Sequence, residues 1–429
     1  MAALTAGKIA DVMFEDLLET IDDQTALADK CERFEPDAST MQNSNNAIWR
    51  PVEQQSRVVK KWDMAGEASG IIQETYPSTL GLPSNTMVEM RADELRDLDF
   101  WRRQGARDGR QMVVEQNTAI AQAIVDQGSL FYRSAATDGF SFLSEAQVIM
   151  NEQQRFKTDR HFYMNDRTNQ KFGKDLAGRQ TLQGRPEEVW SKGQIGTNIA
   201  EFDSVNTASF LPSLAGGSDA ATVVGNQSFR PEGGTVTATG IVTNVDYRYA
   251  SIPTTLAHTF EIGDKFTLNN GGTDILAVGS STKQITGEAR TFTVVGVPDD
   301  QTIEFYPKPI ALDDTFAGDP DAALMRKSAN IDTLILAGAN IVAVNTDALA
   351  KTNIFFDTDA VEIVTGTIPA NLFAEYNGHK VISSTMKNGQ PIYMIYDADM
   401  VGMNLRYRVF SWWDVVIKDP MRAGVAISI

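Results

Sequence analysis

The chain has 429 residues, 42% of them hydrophobic and 22% charged, and its 38 basic and 56 acidic residues give a formal net charge of −18. This composition is typical of a soluble globular protein with two or three domains and excludes a disordered chain. The negative charge argues against binding to the outside of a nucleic-acid duplex, and the single cysteine, Cys31, excludes an intrachain disulfide and a zinc site made of cysteines alone.

The first predicted element is an amphipathic helix over residues 9–33. Ile9, Met13 and Leu17 repeat at four-residue spacing and form its apolar stripe. The opposite side carries only acidic charges: Asp11, Glu15, Asp16, Glu19, Asp22 and Asp23. Two interpretations stay open, a solvated face or a docking site for a basic helix. The start of the chain has no basic end before an apolar core, so it does not predict a signal peptide.

A polar segment, Met41 to Gln55, follows the helix and turns into an extended run with Trp49, Arg50 and Pro51. Proline bars a helix here, so we expect an arm that reaches over a neighbouring subunit. The runs 56–62 and 70–76 predict a long β-hairpin, with Lys60 and Lys61 inside it. Such a hairpin is a poor folding unit alone and favours a contact with another subunit.

A long helix is predicted from Arg91 to about Gln127, with Gly128 at its C-terminal end. Arg103, Arg107 and Arg110 form a basic stripe on it. Either these arginines are solvated, with Asp99 and Arg103 as a helical ion pair, or the stripe meets an acidic neighbour.

The composition of the chain changes near Gly216, after which Thr, Val, Gly and Ser become frequent. Before it, residues 144–156 predict a helix, and Glu187 and Glu188 after Pro186 suit a helix start. After it come short β-type runs, with a hairpin turn at residues 269–272, which predict an inserted β-barrel. A helix over residues 331–344 is expected to lead back into a mixed α/β part with strands at 361–364 and 391–395.

Motifs for catalysis or cofactor binding are absent from the sequence. It contains no Gly-rich phosphate loop, no HExxH and no GxSxG. The histidines, His161, His258 and His379, lie far apart, and the acidic pairs at 313–314 and 357/359 are typical of turns and strand ends. We therefore expect no enzyme activity, no cofactor and no metal. The most apolar long stretch, 334–344, is too short to span a bilayer.

Several segments, in the same order along the chain, resemble the coat proteins of short-tailed phages of the Lederbergvirus type. They are MQNSNNAIWRPVEQQ in the arm, FEDLLETI in the first helix, RADELRD with the following Trp101 to Arg103 at the long helix, QSFRP, VDYRYA, GDK and PKPIALDD in the β-rich part, and TNIFF with IPAN after it. The last sixty residues resemble the family least.

The resemblance implies an α+β fold of the Hong Kong 97 capsid type with an inserted antiparallel β-barrel. The implied parts are an N-terminal arm helix (1–37), a flexible arm and extended hairpin loop (38–90), a spine helix of the peripheral domain (91–128), the first part of the axial and peripheral domains (129–215), the inserted barrel with its return helix (216–345), and the second part of those domains (346–429).

The resemblance also implies function. It predicts a structural protein that forms pentamers and hexamers of a phage head around double-stranded DNA, assembles in the host cytoplasm and ends in the virion. Its partners would be its own copies, a scaffolding protein, a portal protein and, if the phage has one, a decoration protein, but no membrane. The acidic cluster that receives the scaffold falls on Glu15, Asp16 and Glu19, with Glu15 the best positional match.

One stretch departs from the family. Residues 234–243 carry no charge, whereas relatives have charged residues that pair across the local two-fold axis. Contacts from Thr235, Val236, Thr237, Thr239 and Ile241 are expected to replace those ion pairs, each of which contributes only about 0–1 kcal/mol when exposed.

Two other functions compete with a phage head protein as interpretations of the sequence. One is an encapsulin-like nanocompartment shell on the same fold, which the β-rich insertion and the acidic helix disfavour. The other is a hydrolase with a β-rich accessory domain. Covalent cross-linking of a shell through Lys60 or Lys61 and a neighbour's asparagine occurs in distant relatives and has no support here beyond lysines in a loop.

Overall fold

The computed structural model describes most of the chain. The described residues are 6–24, 27–51, 60–63, 75–91, 98–134, 139–155, 157–178, 199–216, 221–231, 236–237, 240–241, 246, 248–317, 322–345, 349–369, 379–399 and 402–428.

The chain divides into two compact units, each made of separate segments. The first contains Met1–Ile48, Ser78–Ile120 and Glu362–Val416, and the second contains Trp49–Pro77, Ala121–Val361 and Ile417–Ile429. The α-helices, in chain order, are α1 (Ala6–Gln24), α2 (Ala38–Asn43), α3 (Leu98–Gln127), α4 (Gly139–Glu152), α5 (Asp166–Gly178) and α6 (Ala322–Met325).

The strands up to residue 274 are β1 (Glu32–Phe34), β2 (Ala47–Pro51), β3 (Thr75–Thr79), β4 (Ser84–Arg91), β5 (Leu130–Ser134), β6 (Arg160–Met164), β7 (Ser204–Thr207), β8 (Ser213–Leu214), β9 (Ala221–Thr222), β10 (Val236–Thr237), β11 (Gly240–Ile241), β12 (Ala250–Pro253), β13 (Lys265–Asn270) and β14 (Thr273–Asp274). The later strands are β15 (Leu276–Val278), β16 (Ile285–Ala289), β17 (Thr291–Asp299), β18 (Thr302–Tyr306), β19 (Asn340–Ala343), β20 (Ala350–Asp357), β21 (Val361–Thr365), β22 (Lys380–Thr385), β23 (Pro391–Asp399), β24 (Asn404–Ser411), β25 (Trp413–Ile417) and β26 (Ala423–Ser428).

The first unit is built on an antiparallel sheet of four strands in the order β22-β23-β24-β4. Alternate residues of β24, among them Leu405, Tyr407 and Val409, face one core with α1 and α3, as expected for strands with side chains pointing alternately to opposite faces. The first unit also contains a smaller sheet of three strands in the order β1-β21-β25.

The second unit contains a sheet of six strands, ordered β5-β26-β20-β6-β7 with β8 on β20. β26 lies in its interior, antiparallel to β20 and parallel to β5. Its core combines strand residues with one face of α4, and includes Phe142, Phe162 and Phe355.

The same unit contains a β-barrel. Its strands follow the order β12-β18-β17-β13-β19-β9, antiparallel at each step. An antiparallel bridge from Val223 to Thr254 joins the first and last strands and closes the ring. Phe266, Phe292 and Phe305 meet in its core with ring centroids 5.3–5.5 Å apart.

The α+β class is confirmed, as are several elements. α3 is the predicted long helix, and the strands at 361–364 and 391–395 are β21 and β23. The turn at 269–272 joins β13 to β14, with Gly271 and Gly272 at φ values of 61° and 100° that suit glycine.

Three helix predictions need correction. The helix expected over residues 9–33 is α1, which ends at Gln24, and a 3₁₀ turn and β1 follow because residues 32–34 pair with β21. The helix expected over 331–344 is wrong: Asn340–Ala343 is β19, paired with β13 and β9. A short apolar run does not distinguish helix from strand, and here the neighbouring strands decide. The helix expected over 144–156 is α4, shifted to Gly139–Glu152.

Part of the predicted long hairpin lies outside the described residues. Residues 60–62 of its first strand belong to no strand, and its second strand is described only from Thr75, where β3 begins. Glu187 and Glu188 also lie outside the described residues.

Candidate assembly surfaces

The N-terminal helix α1 is a core element of the first unit. Met13, Phe14, Leu17 and Ile21 are at most 3% exposed and pack with α3 and the four-stranded sheet. Their spacing places them on one face of the helix, as the sequence predicted.

Two glycines allow α1 to approach α3 closely. A methyl group at Gly105 would collide with the carbonyl oxygen of Met13 and lie 3.0 Å from its Cγ. One turn later, a methyl at Gly109 would lie 2.9 Å from the carbonyl oxygen of Leu17 and 3.3 Å from Cβ of Thr20. The pair of glycines, four residues apart, therefore sets the distance between the helices, a signal that the sequence analysis missed.

The acidic side of α1 contains carboxylates that are exposed and one that is paired within the chain. Asp11, Glu15 and Glu19 are exposed. Asp16 is half-buried, and its Oδ2 lies 3.6 Å from Nε of Arg102 on α3. Of the three residues predicted to contact a scaffold, Glu15 and Glu19 are thus accessible, whereas Asp16 is partly engaged within the chain.

The predicted basic stripe lies on the outer side of α3. Arg103, Arg107 and Arg110 are all exposed. Between them, Asp108 is buried and accepts a 2.6 Å hydrogen bond from the Tyr407 hydroxyl. Burial raises the pKa of Asp108 above its usual value, while that hydrogen bond acts in the opposite direction. Sequence reasoning found the stripe but not this buried carboxylate, which anchors α3 to β24.

Strand β2 contains two of the predicted contact residues. Trp49 and Arg50, in β2, are half-buried, and the Arg50 guanidinium lies 5.7 Å from the ring centroid of Tyr76 in β3. Lys60 and Lys61 are exposed, next to the fully exposed Trp62.

A buried arginine from the barrel region meets the same tyrosine. Arg248 lies 5.2 Å from the ring centroids of both Tyr76 and Tyr306, within the range of a cation–π interaction. It also donates to both carboxylate oxygens of Asp246 and to the carbonyl oxygen of Ile417. This contact joins Tyr76 of β3 to the barrel and to Ile417.

A second buried cation joins the barrel to the end of α3. Lys265 is 1% exposed, and its Nζ donates to the carbonyl oxygens of Val125 and Gly128 at 2.6 and 2.7 Å and to the Thr293 hydroxyl at 2.7 Å. Carbonyls in the last turn of a helix lack partners within the helix, so the Lys265 side chain caps α3. Burial lowers the pKa of Lys265 from 10.5 to about 7, with Asp126 and Asp264 acting against it.

The uncharged hairpin of the barrel region is described only in its backbone pairing. β10 pairs with β11, with Val236 opposite Ile241 and Thr237 opposite Gly240. Thr235 and Thr239 lie outside the described residues.

The histidines and acidic pairs have structural partners. The His161 ring nitrogens contact the hydroxyls of Ser204 and Thr358 at 2.7 and 3.0 Å. Asp357 is 2% exposed and accepts a 2.9 Å hydrogen bond from Arg422. Within the described ranges, no three His, Cys, Asp or Glu side chains group as metal ligands would, and no helix there is long and apolar enough to cross a membrane.

Almost the whole chain matches one family of known proteins. The family model described as "P22 coat protein - gene protein 5" matches residues 1–428. The chain belongs to the P22 coat protein family. It is therefore a structural phage coat protein that assembles with its own copies into a capsid shell and resides in the virion, as the resemblance predicted.

Similarities to solved structures are distant. A structure of Mycobacterium phage Che8 matches with a TM-score of 0.41 and 10% identity, over 92% of this chain and 89% of that chain. The capsid of Cyanophage P-SCSP1u matches with a TM-score of 0.40 and 10% identity, over 93% and 86%. A virus-like particle from Pyrococcus furiosus matches with a TM-score of 0.39 and 8% identity, over 97% and 98%. The assignment of this coat protein depends on the family match.

Proposed function

We propose that this coat protein is the major capsid protein of a short-tailed phage of the Lederbergvirus type. Its copies form the pentamers and hexamers of an icosahedral head, assembled in the host cytoplasm with a scaffolding protein and a portal. The family match over residues 1–428 supports the shell-forming role. The net charge of −18 suits a wall that encloses double-stranded DNA without sequence-specific binding.

In this proposal the parts of the chain take the roles expected for the Hong Kong 97 type. α3 is the spine helix of the peripheral domain, the segment between β2 and β3 is the extended loop, and the closed barrel is the inserted domain. Residues 129–215 and 346–429 supply the axial and remaining peripheral parts. Trp49, Arg50, Lys60, Lys61 and the basic stripe of α3 contact neighbouring subunits, as do the uncharged residues of the β10–β11 hairpin.

The scaffold-docking role depends on one observation, the two-sided character of α1. Its apolar side is buried in the core of the first unit, so the helix has a defined position, while Glu15 and Glu19 on the other side are exposed. A fixed row of carboxylates suits a basic helix, because complementary charges steer and orient a partner. Asp16, paired with Arg102, would join only if that ion pair opens.

The test is charge reversal with assembly as the readout. The double variant Glu15→Lys and Glu19→Lys is expected to bind the scaffolding protein about tenfold more weakly at low salt, with a smaller difference at high salt. A matched control reverses two exposed carboxylates of the barrel, Asp274→Lys and Asp300→Lys. Equal scaffold binding by both double variants, or an effect independent of salt, contradicts the docking role.

Electron microscopy separates the phage head from a nanocompartment shell. Co-expression with the scaffolding protein is expected to give uniform procapsids, and expression alone to give irregular particles. Uniform closed particles formed without any scaffold support the encapsulin-like alternative. Point substitutions are preferred to deletion of α1, because deletion also removes Met13, Phe14, Leu17 and Ile21 from the core.

A further inference from the structure

One arginine of the barrel, Arg290, is buried without enough partners. It is 1% exposed and lies between β16 and β17. Its Nη1 donates to Oε1 of Gln153, but Nε and Nη2 are buried and make no hydrogen bond to any described residue. A guanidinium remains charged at neutral pH, and a buried charge is costly unless it is paired and hydrogen-bonded. Arg290 therefore requires a further acceptor.

Two more cations belong to the same cluster. Ser280 N donates to the carbonyl oxygen of Gln153, and Thr282 donates through its backbone and hydroxyl to Oε1 of Gln154, so the loop 279–283 is bound to residues 153–154. Arg290 contacts Gln153 and the loop that carries Lys283 contacts Gln153 and Gln154, so both cations lie near Arg155, whose charge acts on each of them. Lys283 and Arg155 are half-buried, so they form the outer part of the cluster.

The walls of this cluster are fixed. Gln154 and Lys283 both have positive φ values, 52° and 57°, which residues other than glycine rarely adopt. A methyl group at Gly279 would lie 2.6 Å from Cδ of Gln154, so the loop packs tightly against it. Positions of this kind persist only where the surrounding structure holds them.

The charges in the cluster do not balance. Asp419 is the carboxylate that acts on it, with its Oδ2 3.7 Å from Nε of Arg155. Burial and then the charge of Arg155 lower the pKa of Arg290 to about 9 and that of Lys283 to about 8. Both groups remain mainly protonated at pH 7, and Lys283 Nζ has only the carbonyl oxygen of Ala329 as a hydrogen-bond acceptor among the described residues. In that part of the chain, the three cations are therefore balanced by the single carboxylate of Asp419.

We propose that Arg290, Arg155 and Lys283 form a binding site for a small oxyanion of the phosphate class. A guanidinium presents parallel N–H groups that match two oxygens of such an anion, and a lysine ammonium adds a point charge. The unpartnered Nε and Nη2 of Arg290 supply the deep contacts. The anion enters past the half-buried Arg155 and Lys283, and the burial of Arg290 admits only a small group rather than a polymer backbone.

The bound anion would stabilise one particular joint. Arg290 and Lys283 belong to the barrel region, whereas Arg155 and Asp419 belong to the segments around the six-stranded sheet. A ligand that binds only the folded state raises its stability in proportion to the logarithm of ligand concentration. Phosphate would therefore strengthen the attachment of the barrel to the sheet, in the free chain as in a shell, independently of scaffold docking.

The experiment is a titration of the purified full-length protein with sodium phosphate at pH 7, followed by calorimetry and ³¹P NMR. Sodium chloride keeps the ionic strength constant, so general screening does not contribute. We expect one saturable site per chain, a higher melting temperature in phosphate than in chloride, and at least tenfold weaker binding by Arg290→Met. Lys283→Met is expected to weaken binding by a smaller factor.

Two controls make the result decisive. Lys351→Met removes an exposed cation outside the cluster and should leave phosphate binding unchanged. A short single-stranded oligonucleotide should not compete, because its backbone cannot reach Arg290. If Arg290→Met does not fold, the comparison uses Lys283→Met and Arg155→Gln. Absence of a saturable site, equal binding by wild type and the cluster variants, or equal competition by the oligonucleotide overturns the proposal.

Discussion

Replacing Gly105 by alanine tests how closely the N-terminal helix α1 packs on the long helix α3. In the interior of an exposed helix this change stabilises a protein by about 1 kcal/mol, because glycine loses more backbone entropy on folding. Here the new methyl group would collide with the carbonyl oxygen of Met13 and lie 3.0 Å from its Cγ. Helix propensity therefore predicts that Gly105→Ala raises the free energy of unfolding, whereas the packing predicts that it lowers it.

The structure indicates that packing prevails. Carbon atoms make their best contacts at about 3.5–4.0 Å, so α1 must move away by about 0.5–1 Å. The colliding atom belongs to the backbone, and no side-chain rotation removes it. Overpacking of a core costs about 1–3 kcal/mol, and displacement of α1 also loosens Met13, Phe14 and Leu17. We expect a net loss of about 1–2 kcal/mol after the propensity gain.

The assay is urea unfolding of the monomeric protein, followed by circular dichroism, for wild type and Gly105→Ala. A Gly/Ala pair at the exposed Gln111, on the same helix, measures the propensity difference without a collision. Gly109→Ala should lose less than Gly105→Ala, since its methyl lies 2.9 Å from the nearest backbone oxygen. A gain for Gly105→Ala equal to the Ala-over-Gly gain at residue 111 would refute the close contact between α1 and α3.

Two further predictions concern the buried cations. Lys265→Met leaves the carbonyl of Val125 without its side-chain partner and should lower the free energy of unfolding by about 1–3 kcal/mol. The pKa of Lys265 is about 7 in the folded protein and 10.5 in the unfolded chain, so the unfolded chain binds more protons between these pH values. The stability advantage of wild type over the variant should therefore increase from pH 7 to pH 10, by at most about 1.4 kcal/mol per pH unit. Urea titrations of both proteins at pH 6, 7, 8 and 9 measure this, and a constant or decreasing difference contradicts it. Arg248→Gln removes the cation between Tyr76 and Tyr306 and should make the chain next to β3 more sensitive to limited proteolysis, whereas Lys351→Gln should not. Equal cleavage of both variants contradicts the anchoring role of Arg248.

The sequence predicted the elements whose pattern is local. The apolar stripe of α1, the long helix α3 and the turn at Gly271 and Gly272 each follow from residues close together in the chain. The acidic side of α1 was also visible, since alternation of charge and apolar residues needs no tertiary information. What the sequence did not indicate was that Asp16 is paired with Arg102.

Elements decided by distant neighbours were missed. Residues 340–343 form β19 because β13 and β9 lie on either side, and their apolar pattern alone also fits a helix. The buried cations Lys265 and Arg290 had no sequence signal, because these residue types are mostly exposed and only the fold shows where they are enclosed. Family resemblance supplied the coat-protein assignment that composition could not.

The position of β26 has a consequence for biosynthesis. Residues 423–428 lie between β5 and β20, and their partners come 294 residues earlier in β5 and about 70 residues earlier in β20. Until residues 423–428 have been synthesised, the edges of β5 and β20 that they cover are open, and an open edge is a template for pairing with any other chain. When several ribosomes translate one messenger, nascent chains that already contain β5 and β20 but not β26 are therefore open to pairing with one another.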